Sequence, residues 1–176
     1  MLQKLEQIAK VIDHFNEKIG RAIAWLSALL VLLVCYEVLS RSLGRTYNWL
    51  TELEWHVFAL VFLLGAGYAF KHDRHVRVDL FYSRFSAKDQ ALINLVGNLL
   101  FLIPWCLVIG YFSFFYALES WRISEGSPDP GGLPARYIIK FSIVAGMFLL
   151  LLQGVADSIR AWLAYCKPNH SEHSEG

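Results

Sequence analysis

Long apolar blocks alternate with short polar ones along this chain, and the block lengths predict its elements. Residues 2–19 set Leu2, Leu5, Ile8, Ile12, Phe15 and Ile19 at spacings of three and four, with Lys4, Glu6, Lys10, Asp13, Glu17 and Lys18 mostly off that stripe. This period predicts an amphipathic helix, residues 1–19, too polar to span a membrane. It would lie in the membrane interface or pack on a partner. A fold back onto the chain's own domain is less favoured, because no soluble domain follows to receive it.

Four apolar runs come next, at about 20–40, 52–70, 91–118 and 137–158. Each is long enough for a hydrocarbon core of about 30 Å. The fold class expected is therefore all-α integral membrane, a four-span domain over 20–165 with a polar tail at 166–176. Glu37 near the end of the first run has Arg41 one turn on, the spacing of a helical ion pair. The second run opens with Glu52, Glu54 and His56 and contains Gly65-Ala66-Gly67 with Ala69, small residues that let another helix approach closely. In the third, Asn94 and Asn98 share a face as helix–helix hydrogen-bonding groups, and Pro104 predicts a kink. Gln153 and Asp157 lie one turn apart near the end of the fourth.

Charge orients the spans. Lys4, Lys10, Lys18, Arg21, the 71–90 loop cations (Lys71, Arg74, Arg77, Arg84, Lys88), Arg160 and Lys167 fall on one side. Arg41, Arg45, Arg122, Arg136 and Lys140 fall on the other. The excess predicts an N-in/C-in topology, both termini cytoplasmic. The Pro- and Gly-rich segment 119–136 then faces outward; its composition excludes a helix and favours a defined turn.

Composition agrees: of 176 residues, 56 % are hydrophobic and 18 % charged, against about a quarter charged in soluble domains. Cys35, Cys106 and Cys166 have no metal or redox spacing, and no disulfide is expected. No cleavable signal is expected at the N-terminus. His72 and His75 with Asp73 and Asp79 have the look of a metal group, but no fourth ligand is suitably spaced, so a solvated loop is expected there. No Walker lysine or nucleophile elbow is present, and His56 is the one histidine within a span, so ATP hydrolysis, acyl transfer and haem binding are unsupported. No enzyme activity, cofactor, metal or nucleic-acid partner is expected. No inverted repeat with broken helices is visible, which suggests part of a transporter and not a whole one.

In their order these features carry a resemblance. Arg41 closes the first span, Trp49 and Glu52 open the second, Leu64-Gly65-Ala66 follows, and His75-Val76-Arg77-Val78-Asp79 forms the basic turn. The outer loop reads Ser127-Pro128-Asp129-Pro130-Gly131-Gly132-Leu133-Pro134. From the first span to Arg160 the chain resembles the small membrane subunit of tripartite ATP-independent periplasmic (TRAP) transporters. The resemblance implies a large multi-span permease partner that holds the transport path and sodium sites. It also implies a periplasmic substrate-binding protein, and uptake of an organic anion across the inner membrane on an ion gradient. The small subunit would be a scaffold.

Three surfaces are then expected to matter. Trp49, Glu52 and Glu54 with Arg41 and Arg45 would form one polar cluster fixing helix orientation. Gly65, Ala66 and Ala69 would be a helix- or subunit-packing face, and His75 and Asp79 mark the basic turn. The loop from Ser127 to Pro134 would line the platform where the binding protein docks. The alternatives are a self-sufficient proton-coupled exporter, working as a dimer with Glu37 as coupling acid, and a pure assembly factor.

Overall fold

The computed structural model describes residues 2–72 and 85–166. Among these, four helices are long and apolar enough to cross a membrane: α1 (Leu2–Ser42), α2 (Asn48–Lys71), α3 (Ala87–Arg122) and α4 (Tyr137–Cys166). The described residues contain no strand.

The N-terminal segment departs from expectation. It is not a separate helix: α1 runs unbroken for 41 residues, about 60 Å at 1.5 Å per residue. Hydropathy changes at residue 20, but no proline interrupts the helix there. Gly20 instead admits the Tyr68 ring against the α1 backbone. The segment packs back on α2 and α4 of its own chain through Asp13, Asn16 and Glu17, the placement that seemed less favoured, because its contacts with α4 are polar and small. Ala9 and Asn16 are buried, while Leu2, Ile8 and Phe15 of the predicted apolar stripe stay exposed.

The third helix also differs from its expected form. A π turn at Asn98–Leu102 sits just before Pro104, with the Ile103 amide donating to the Asn98 carbonyl five residues back. A proline cannot donate the next helical bond, and a π turn redistributes the freed carbonyls. The irregularity therefore lies N-terminal to the proline. It brings Asn98 inward, where its Nδ2 donates to Asp157 Oδ2 at 2.9 Å.

Helix α4 is the centre. It packs against all three others, while α2 and α3 flank it without an extended interface of their own. Small residues make this possible. A Cβ on Gly146 would stand 2.6 Å from the Leu63 carbonyl oxygen. One on Gly67 would stand 2.9 Å from Asn16 Oδ1 and 3.0 Å from the Leu149 carbonyl. Backbones thus meet closely where little hydrophobic drive exists between helices in lipid. Cys166 ends α4; the rest of the 166–176 tail lies outside the described residues.

Candidate functional site

The loop between α3 and α4 is a closed structure fastened to the start of α2. Pro130 and Gly131 occupy the centre of a turn closed by the Gly132 amide on the Asp129 carbonyl at 3.0 Å. Gly131 has φ +74°, the value this turn needs at its third position and glycine supplies without strain. The Ser127 amide donates to the Leu133 carbonyl at 3.0 Å, and the Arg136 amide to the Glu125 carbonyl at 2.8 Å. The tip Pro128-Asp129-Pro130-Gly131 and Pro134 stay exposed.

Glu52 holds this loop. It is 5 % exposed, accepts from the Ser127 hydroxyl, and takes the Leu133 amide at 2.5 Å. One turn earlier, Asn48 Nδ2 donates to the Pro130 carbonyl at 2.9 Å. At the loop's base Glu125 pairs with Lys140. The Lys140 ammonium holds the Glu125 carboxyl below its usual range. Lys140 Nζ also lies 4.0 Å from the Tyr116 ring centre, and the Arg136 guanidinium 5.6 Å from that of Trp55.

The polar cluster expected at this end divides in two. Glu52 faces the loop, while Glu54, two residues on, points to α1. The turn of about 200° between such positions separates them. There Glu37 Oε1 accepts from Arg41 at 2.5 Å and Thr51 at 2.9 Å. Glu54 lies against Glu37, its Oε1 buried without a hydrogen-bond partner. Trp49 is exposed and meets the Tyr47 ring, centroids 6.2 Å apart. Arg45 engages through its backbone carbonyl, which accepts from Ser40 at 3.1 Å.

The small-residue patch is also redistributed. Gly67 makes the close approach, whereas a Cβ on Gly65 would meet only Ile23 Cγ2, at 3.9 Å. Ala66 and Ala69 are half-buried. His75 and Asp79 lie outside the described residues. His72 Nε2 lies 3.0 Å from Glu17, which also takes Lys71 at 2.6 Å and Arg21 at 3.0 Å.

Asn98 bonds between helices as expected, but sequence reading missed most of the polar seam to which it belongs at the opposite end. Asn16 (1 % exposed) donates to Gln153 (0 % exposed) at 2.8 Å. Gln153 donates onward to Asp13 at 2.8 Å, and Asp13 pairs with Arg160 at 2.5 Å. Arg160 reaches Asp157 at 3.4 Å, which holds Asn98. The signal was Asp13, Asn16 and Glu17 at helical spacing beside an apolar stripe.

These groups join helices and shape a loop. No curated protein matches the chain. A family model described as "Tripartite ATP-independent periplasmic transporters, DctQ component" matches residues 30–164, from within α1 to the last turn of α4. The match spans well over half of the sequence, and the chain belongs to that family, as a small TRAP transporter component.

Proposed function

We propose that this chain is the scaffold subunit of a TRAP-type secondary transporter in the cytoplasmic (inner) membrane of a bacterium or archaeon. It works with a large permease subunit and a periplasmic binding protein, importing an organic anion on an ion gradient, sodium by the family's example. Both termini are cytoplasmic in this reading, and the Glu125–Arg136 loop faces the periplasm. The observation that carries the scaffold role is the use of the polar groups: Glu52, Asn16, Gln153 and Asn98 all fasten one part of the chain to another. Exposed apolar side chains on α1 and α3, Trp25, Leu32, Phe101 and Phe112 among them, offer surface to lipid and to a large partner. The exposed stripe Leu2, Ile8 and Phe15 suits the membrane interface or that same partner.

The test is affinity purification of the tagged chain from gently solubilised native membranes. A large multi-span protein at about equal stoichiometry is expected. Deleting Pro128–Leu133 should impair uptake more than assembly if the loop receives the binding protein, and normal uptake would exclude that role. The exporter alternative requires an available Glu37, which here is occupied by Arg41 and Thr51. Transport by the purified chain alone, lost in Glu37→Gln, would restore it.

A further inference from the structure

At the loop end of the bundle a slot of about 330 Å³ opens between α2 and α3, floored by α4. Ala59, Leu63 and Ile143 line its inner part, and Trp55, Arg136, Lys140 and the Glu125 carboxylate paired with Lys140 line its outer part. The two cations differ in their commitments. Lys140 is paired with Glu125. Arg136 Nε is buried without a hydrogen-bond partner. Glu52 and Glu125 are within electrostatic reach of Arg136, but the first is occupied by Ser127 and Leu133 and the second by Lys140.

A buried guanidinium donor lacking an acceptor is costly, and its planar fork matches an oxyanion such as a phosphate diester. The level is right for one. Trp49, Trp55, Tyr116 and Trp121 gather at this end of the helices, as aromatic side chains do at the headgroup boundary. Apolar side chains continue from Arg136 toward the middle of the bundle, as an acyl chain would.

We propose that this slot holds one phospholipid of the leaflet on the loop's side, its phosphate on Arg136 and an acyl chain against Ala59, Leu63 and Ile143. Only membrane insertion is required, so the inference stands apart from the transport reading.

The experiment uses the tagged full chain, purified with whatever accompanies it from its own membranes in mild detergent and washed through detergent exchange. Phospholipid per chain is measured by mass spectrometry for the wild type, Arg136→Gln, Ala59→Phe, and Arg122→Gln as an exposed control paired with Glu119. Wild type and control should retain the lipid. Loss of the charge-assisted bonds, or filling of the slot, should lower retention about tenfold. Retention equal to wild type in both Arg136→Gln and Ala59→Phe would overturn the proposal. So would a photo-crosslinker at position 59 that captures a polypeptide in place of lipid.

Discussion

The amide of Leu133 donates to the carboxylate of Glu52 across 81 residues of sequence, at 2.5 Å. That bond, with the Ser127 hydroxyl on the other oxygen, gives the proline–glycine loop one conformation. Glu52→Ala leaves a half-buried hydroxyl and a half-buried amide without their acceptor, whereas Glu52→Gln keeps one carbonyl oxygen for them. Limited proteolysis within 127–133 should be clearly faster in the alanine variant and intermediate in the glutamine variant. Equal cleavage in all three would show that Glu52 does not hold the loop.

Gly67 and Gly65 should respond differently to enlargement. A side chain at 67 meets Asn16 and the α4 backbone, and such overpacking costs about 1–3 kcal/mol. Gly65→Ala meets only ordinary contact with Ile23 and should leave the chain's stability unchanged. The buried Cys106 thiol provides the readout, as its labelling during thermal unfolding in a Cys35→Ser/Cys166→Ser background. If Gly65→Ala keeps the chain stable yet reduces recovery of a partner, position 65 faces that partner.

The Asn16–Gln153 bond is suited to a double-mutant cycle. Either single change to leucine strands a buried polar group, at a cost of about 1–3 kcal/mol. The double variant should cost less than the sum of the singles, by roughly 0.5–1.7 kcal/mol as for other hydrogen bonds within membranes. Strict additivity would mean that the two side chains do not interact.

Acid should loosen the base of the loop. The Glu125 carboxyl is held below its unfolded value of 4.5 by the Lys140 ammonium beside it. A carboxyl with a depressed folded-state pKa contributes stability that is fully present above the unfolded value. That contribution disappears as pH falls through the lower folded value. Loop proteolysis with an acid-active protease should therefore be flat above about pH 5 and rise below about pH 4. Glu125→Gln should shrink the pH step, leaving the part set by the Glu52 carboxylate that also holds the loop, and cleave faster at neutral pH; a step of unchanged size in that variant would assign it wholly to another carboxyl.

Much of the fold was legible because its signals are local. Apolar runs of spanning length gave four helices, Glu37–Arg41 is a single-turn pair, and Pro130-Gly131 specifies its own turn. The remainder depended on pairings distant in sequence. Hydropathy marks where polarity changes and not where a helix ends, so a boundary at residue 20 hid one continuous α1. Helical spacing puts Glu52 and Glu54 on different faces, but which partner each face meets, the loop for one and α1 for the other, depends on segments distant in sequence. Nothing near Asn16 names Gln153, and nothing near Gly67 distinguishes it from Gly65 until α1 and α4 supply their backbones and side chains.

The fastening of the loop has a mechanical consequence. A slack connection would absorb displacement at Pro130 in its own backbone. Here Asn48 and Glu52 tie the tip to the first turns of α2, and Glu125 ties the base to α4 through Lys140. A push on the exposed tip is therefore converted into tilt of two helices that pack along much of their length. The loop acts as a stiff handle on the bundle.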